Sequence, residues 1–246
     1  MIVIPMAGNS SRFYKAGYTR PKYELEIGGR TLFELTVGSF DAYFTSETFV
    51  FVVRQDFAAT RFVDEMSRAV GIASYHIVEL HAPTRGQAET VLAGIEDADR
   101  ALDERLLVFN IDTIRPGYRI PEEVAHADGY LEVFRAEGDH WSFVRPASAD
   151  SHVVIETTEK RRISDLCCTG LYFFSAASDF VSVFSEAMAH YGEFEQQWRE
   201  LYIAPLYNTL IERGKRIVYH EVPASDVLLA GTPEEYVALA HQRVQA

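Results

Sequence analysis

Residues 4–13 read IPMAGNSSRF, an apolar segment running into small, polar, turn-forming residues closed by a cation, Arg12. Successive backbone N–H groups in such a loop make an anion nest, and a guanidinium adds a bidentate donor for phosphate oxygens. The chemistry this suggests is polyphosphate binding. A plain turn after a first strand is the competing reading of the loop alone. A second cation, Lys22, follows Pro21 in GYTRPKYELEIGGRTLFE. A small-residue loop with Arg followed by Pro-Lys is far more specific than either piece.

Groups of this kind need strand ends to hold them. Short apolar runs rich in β-branched and aromatic residues predict strands at Ile2 to Pro5, Phe49 to Val53, Tyr75 to Val78 and Leu106 to Ile111. Helical spacing lies between them, as in Phe57, Phe62, Met66, Val70 and again in Ala88, Val91, Leu92, Ile95. That alternation is the signature of a parallel sheet covered on both faces, whose ligands sit at the carboxyl ends of the strands. After Pro121 the strands GYLEVF, WSFV, HVVIET and CTGLYFF predict antiparallel ribbon. A helical segment from about Asp179 to Arg213 follows, then the strand RIVYHEV and a last helix begun by Pro233 after the capping residue Thr232. No linker or repeat interrupts the chain. One domain over 1–246 is expected, with a nucleotide half (about 1–115) and an acceptor half (about 116–246).

Composition narrows the function. The 246 residues carry 23 Lys+Arg against 36 Asp+Glu, net −13, with no long basic run, which argues against nucleic acid as a partner. Cys167 and Cys168 are adjacent within an apolar run and lack neighbours at metal spacing, so core packing is their reading. No apolar run approaches the roughly 18 residues of a membrane span, and the N-terminus has no basic leader. A cytoplasmic protein without a membrane partner is expected.

The stretch IPMAGNSSRF…GYTRPKYELEIGGRTLFE resembles the signature of the nucleotidyltransferases that activate sugar phosphates, a small-Gly-x-Gly-Ser/Thr-Arg loop followed by Pro-Lys. The resemblance implies a three-layer α/β, Rossmann-like (GT-A-like) nucleotidyltransferase fold with a mixed central sheet and an antiparallel acceptor-binding extension. It implies that Met6, Ala7, Gly8, Asn9, Ser10 and Ser11 hold the NTP with Arg12 and Lys22, although Ser10 stands where the second Gly is usual. TRGQAETV (84–91) is similar to the base-recognition segment, with Gly86 and Gln87 facing the base; an ordinary helix start is the rival reading. In LLVFNIDT (106–113), Asp112 takes the place of the aspartate that holds Mg²⁺, a hard cation suited to oxygen donors. A helix-capping Asp is the alternative there. TEKRRISDLCCTGLYFFS (158–175) looks like the acceptor segment, with Lys160 on the acceptor phosphate, Glu159 orienting a hydroxyl or amine, and Gly170 in the following strand; taken alone, EKRR is a solvated turn. LLAGTPEEY resembles the closing Asp-x-Gly-Thr-Pro-Glu, but Leu229 occupies the second metal aspartate's position. Asp226 replaces it only if the backbone path differs.

The implied reaction moves NMP from an NTP, CTP or UTP by the amide pattern of Gln87, to a phosphorylated acceptor with release of pyrophosphate. A sugar 1-phosphate in capsule or surface polysaccharide synthesis is the leading acceptor. EVFRAEGDHWSFVRP adds Glu132, Arg135, Asp139 and Trp141 to the acceptor half, and this polar, aromatic character also admits phosphocholine or a phosphorylated amino acid amide. Other readings are a GT-A glycosyltransferase that uses NID as its metal motif and a nucleotide-binding protein with little turnover. Homo-oligomer formation is left open.

Overall fold

FVFVV at 49–53 is apolar throughout because both of its faces are covered. In the computed structural model, which describes residues 1–244, Phe49, Phe51 and Val53 enter one core while Val50 and Val52 enter the other. The neighbouring strand at Ile2–Pro5 obeys the same rule, whereas the edge strand at Tyr75–Leu80 is only partly covered and leaves His76 exposed. Ile2 and Ile4 point to the first of these cores and Val3 to the second.

In chain order the strands are β1 Ile2–Pro5, β2 Glu26–Ile27, β3 Arg30–Thr31, β4 Phe49–Arg54, β5 Tyr75–Leu80, β6 Leu106–Phe109, β7 Thr113–Ile114, β8 Gly129–Arg135, β9 Ser142–Pro146, β10 Val154–Glu159, β11 Leu166–Phe174, β12 Ile217–Glu221 and β13 Leu228–Leu229. The α-helices are α1 Ser11–Lys15, α2 Leu32–Val37, α3 Thr60–Val70, α4 Gln87–Asp97, α5 Ala177–Ala189, α6 Tyr191–Trp198, α7 Tyr207–Glu212 and α8 Pro233–Val244. Among the described residues nine strands form one mixed sheet in the order β10-β9-β11-β6-β1-β4-β5, with β8 pairing β11 and β12. β1 runs parallel to β4 and β6, and β11 joins β6 antiparallel. Helices α4, α5 and α7 cover one face, α2 and α3 the other, giving the three-layer Rossmann-like arrangement. No described helix is long and apolar enough to cross a membrane.

Two departures from local expectation matter for the site. The stretch 179–213 is not one helix: it breaks at His190 and again after Trp198, where Leu201 leaves helical geometry to bond Arg85 O (3.0 Å) and Ala88 N (2.8 Å). Helical spacing in the sequence cannot register that long-range demand. The last helix also returns to the first half of the chain. Its Leu239 joins Ile27, Leu32, Leu35 and Ile114 in a small core, and Tyr236 donates to Glu26 O at 2.7 Å. Both cysteines are buried and unpaired, as core residues.

Candidate active site

The signature loop is built from the end of β1. Met6 is fully buried and donates to Val52 O at 2.8 Å, so the chain leaves the sheet at a fixed point, and Gly8 and Asn9 stand exposed. Ser10 turns the chain into α1 with φ 47°, the left-handed region that glycine reaches at lower cost. This locates the physical reason for a glycine at that point. The serine supplies something glycine lacks: its Oγ accepts from Lys22 N at 3.4 Å, which ties the loop to the Pro-Lys turn.

Lys22 then reaches the end of β6, where its Nζ lies 2.5 Å from Asp112 Oδ2. Both side chains are only partly exposed, at 18% and 24%. Asp112 is held by its backbone, since its carbonyl accepts from Ala230 N at 2.9 Å. Asp112 does not cap a helix. It faces open space, and the lysine ammonium already occupies a cation position on it. Hard-cation sites of the magnesium kind need one or two carboxylates completed by phosphate oxygens and water, and Asp112 fits that use. Among the described residues no group of three or more His, Cys, Asp or Glu side chains is placed to hold a metal ion.

Two cavities meet at this point. The first, about 330 Å³, is lined by Met6, Ala7, Gly8, Asn9, Ser10 and Lys22 on one side and by Gly86, Gln87 and Thr90 on the other. The second, about 230 Å³, is lined by Arg12, Trp141, Ser142, Glu159, Gly170, Tyr172 and Tyr202, among others. Gln87, Asn110 and Asp112 line both. The shared wall has a structural cause. Gly170 (φ 91°) marks a register shift in β11, and a Cβ there would lie 2.6 Å from Asn110 Cγ, so only glycine lets the asparagine stand where it does. Asn110 Oδ1 in turn accepts from Gln87 Nε2. Gly86 has a comparable reason: a Cβ would lie 2.5 Å from Leu201 N.

Solved structures bear on this arrangement. The nucleoside-diphosphate-sugar pyrophosphorylase from Vibrio cholerae RC9 is 50% identical in sequence, covers 98% of this chain and 100% of its own, and superposes with a TM-score of 0.94. The chain belongs to the sugar-phosphate nucleotidyltransferases. An inositol-1-phosphate CTP transferase from T. maritima (14% identity, 100% of this chain and 96% of that chain, TM-score 0.73) and a UTP-bound UGPase from Acinetobacter baumannii (14%, 98% and 92%, TM-score 0.70) share the fold. No family model matches the chain, and no curated protein matches it.

Within this nucleotidyltransferase several side chains lie elsewhere than the signature implied. Arg12 lines the second cavity and not the first. Ser11 and Lys160 line neither; Lys160 donates to Tyr202 OH, and its Nζ stands 3.8 Å from Glu159 Oε1. Asp226 also lies outside both cavities, on a short turn where its carbonyl accepts from Arg115 Nη1 at 3.3 Å; the chain does not bend so as to bring it to Asp112. Leu229 pairs with Thr113 between β13 and β7 and lines the second cavity. Of the polar residues expected beside Trp141, Glu132 is buried in an ion pair with Arg115, Arg135 pairs with Asp165 and Glu221, and Asp139 is exposed.

Sequence reasoning missed Arg54. It stands at the carboxyl end of β4, 14% exposed, donates to Asn9 Oδ1 and lines the first cavity. The signal is the cation that directly follows the apolar run 49–53. Tyr202 and Tyr236 had no such signal. Tyr236 packs edge-on against Phe13 and Tyr18 at 6.1 and 5.7 Å, bracing α1 from the far end of the chain.

Burial pushes the Glu159 carboxyl above its ordinary range, partly offset by the Ser142 hydroxyl and by Lys160. Tyr172 is pushed far up by the same cause and stays a neutral phenol.

Proposed function

We propose that this nucleotidyltransferase moves NMP from CTP or UTP to a sugar 1-phosphate and releases pyrophosphate, as a single domain serving capsule or surface polysaccharide synthesis. The observation that supports this best is the meeting of two cavities at Asp112 and Lys22. The triphosphate takes the first cavity, with the loop 6–10 and Lys22 against its phosphates and Arg54 as an added cation. The acceptor takes the second, with its phosphate toward Arg12. An oxygen of that phosphate attacks the α-phosphorus in line, the bond to the bridging oxygen breaks, and pyrophosphate leaves with the electron pair. The attacking oxygen is already anionic at neutral pH, so no side chain has to take its proton. Positioning and charge neutralisation then carry the rate. Asp112 would hold Mg²⁺ together with phosphate oxygens, and the ion would neutralise charge developing at the attacked phosphorus.

The test is pyrophosphate release from the four NTPs and dTTP against a panel of phosphorylated acceptors. Release that needs both an NTP and a phosphorylated acceptor supports the reading. Transfer of a sugar from a nucleotide sugar without pyrophosphate would replace it with a glycosyltransferase.

Lys22→Ala and Arg12→Ala are each expected to lower turnover by roughly a hundredfold, the usual loss when a charge-stabilising donor is removed. The two should differ in KM, with Arg12→Ala raising that for the acceptor and Lys22→Ala that for the NTP. Equal effects on both substrates would contradict the division of cavities.

Gln87 is the proposed reader of the pyrimidine edge, with Asn110 fixing its amide. Gln87→Ala should narrow the preference for pyrimidine over purine nucleotides more than it slows the best substrate. Competition between CTP, UTP and ATP measures it, and an unchanged preference would place base reading elsewhere.

A further inference from the structure

The cations on the wall of the first cavity are Lys22 and Arg54. They belong to different strand ends. β1, which runs into the signature loop, lies between β6 and β4; Lys22 meets Asp112 beyond the end of β6, and Arg54 is the last residue of β4. Those two strands are two spacings apart, roughly 10 Å. Lys22 is bonded to a residue that lines both cavities, whereas Arg54 lines the first alone.

Arg54 is held on three sides. Its Nε donates to Asp56 Oδ1 at 2.9 Å and its Nη2 to Asp56 Oδ2, its Nη1 donates to Asn9 Oδ1, and the Phe57 ring centre lies 5.0 Å from its Cζ. Local structure makes this possible, because a short 3-10 turn at Gln55–Phe57 follows β4 directly and brings Asp56 beside Arg54. Phe57 is braced in turn by Tyr14 of α1, with ring centres 6.4 Å apart. Three of the five guanidinium N–H groups are thereby engaged, and one on each terminal nitrogen is left. A fixed fork with free donors on a cavity wall matches phosphate oxygens. Asp56 itself lines neither cavity, so it acts on that space only through Arg54.

In-line displacement sets where the charge goes. The leaving group stands opposite the attacking oxygen. With that oxygen coming from the second cavity, the β- and γ-phosphates lie in the first cavity on the side away from the junction. Arg54 is the cation on that side.

We infer that Arg54 takes the outgoing pyrophosphate and that Asp56 and Phe57 are positioning residues that keep its fork aligned for it. This rests on the proposed function, in that the triphosphate occupies the first cavity. A fork set in advance stabilises charge on the leaving group without having to reorganise. Asp56 also repels the anion, but its side chain is 55% exposed and its charge is screened, so alignment outweighs repulsion.

Titration calorimetry of the enzyme with Mg²⁺ tests this on three ligands: pyrophosphate, CTP or UTP, and the matching CMP or UMP. Arg54→Met should weaken pyrophosphate and the triphosphate by about tenfold or more, the loss of a charge-assisted pair, and leave the monophosphate within about twofold. Arg54→Lys keeps the charge and serves if the first variant fails to fold; without the planar fork it should lose most of the same affinity. Asp56→Ala should weaken pyrophosphate by about threefold, and that loss should vanish in the Arg54→Met background. Wild-type affinity for pyrophosphate in both Arg54 variants, or equal losses for triphosphate and monophosphate, overturns the inference while leaving nucleotidyl transfer intact. An Asp56→Ala loss that persists beside Arg54→Met overturns the positioning role. Selective losses in a protein whose wild type releases no pyrophosphate from any NTP and acceptor keep Arg54 as the polyphosphate donor and sink the proposed function instead.

Discussion

Asp112→Asn is expected to lower kcat by about a thousandfold or more while the protein remains folded. The side chain lies on the wall common to both cavities, 2.5 Å from Lys22 Nζ, so its charge acts where the two proposed substrate cavities meet. Asparagine keeps the shape and one oxygen but loses the charge. A hard divalent cation then loses its anionic protein donor, and Lys22 loses the partner that holds it in place. Loss of a single preorganised donor costs roughly a hundred- to a thousandfold, and in the proposed role Asp112 would combine that with metal binding. Pyrophosphate release measured across a Mg²⁺ titration, with circular dichroism as the folding control, decides the matter. Wild-type activity should also disappear in excess chelator. A near-normal rate for Asp112→Asn, or full wild-type activity in chelator, would remove the metal role from this residue.

Arg115→Met is expected to cost about 3–5 kcal/mol of stability, the range for removing one partner of a buried ion pair. Arg115 binds Glu132 through two hydrogen bonds of 2.8 and 3.1 Å, with side-chain exposures of 11% and 1%. Thr169 Oγ1 adds a donor to the same carboxylate at 3.2 Å. Without the guanidinium, Glu132 is left as a buried carboxylate with one hydroxyl for a partner. Arg115→Met with Glu132→Leu should recover most of the loss, because apolar side chains of similar size replace a buried pair at little net cost. Urea midpoints of the wild type, the single variant and the double variant measure this. The site should respond as well: Glu132 is bonded to Thr169, beside Gly170 on the wall of the second cavity, and Arg115 holds the turn at Asp226 that leads to Leu229 and Gly231. A single variant as stable as wild type would mean that water reaches Glu132.

Much of the parallel half was legible locally. The runs at 2–5, 49–53, 75–78 and 106–111 each mark a strand, though β6 stops at Phe109 and Asn110 to Asp112 form its exit loop. Three of them were readable because a strand buried on both faces has to be apolar at every position, and the edge strand 75–78, with His76 exposed, by its aromatic and β-branched residues. The place of the loop 6–12 and of Asp112 at strand ends follows from the same pattern. The capping box at Thr232 and Glu235 was half visible in the Thr-Pro pair, and the structure completes it through Glu235 N to Thr232 Oγ1 at 3.2 Å.

What tertiary structure decided is the membership of each cavity. Arg12 and Lys22 belong to one signature, yet a left-handed turn at Ser10 and a short helix carry Arg12 to the second cavity while Lys22 reaches Asp112. Glu159 and Lys160 are neighbours, but β10 ends at Glu159 and the chain turns at Lys160 through a left-handed backbone (φ 51°), which leaves the first in the buried wall and the second at Tyr202. Glu132 reads as a polar residue in an acceptor segment, but the approach of Arg115 makes it the buried half of an ion pair. The break at Leu201 and the return of Tyr236 to α1 likewise depend on partners far along the chain. Hydrophobic period and turn chemistry determine where the chain is extended, where it turns and which residues share a face. Which cavity a charged side chain enters is set by contacts between residues distant in sequence, because burying a charge is tolerable only where a partner arrives to meet it.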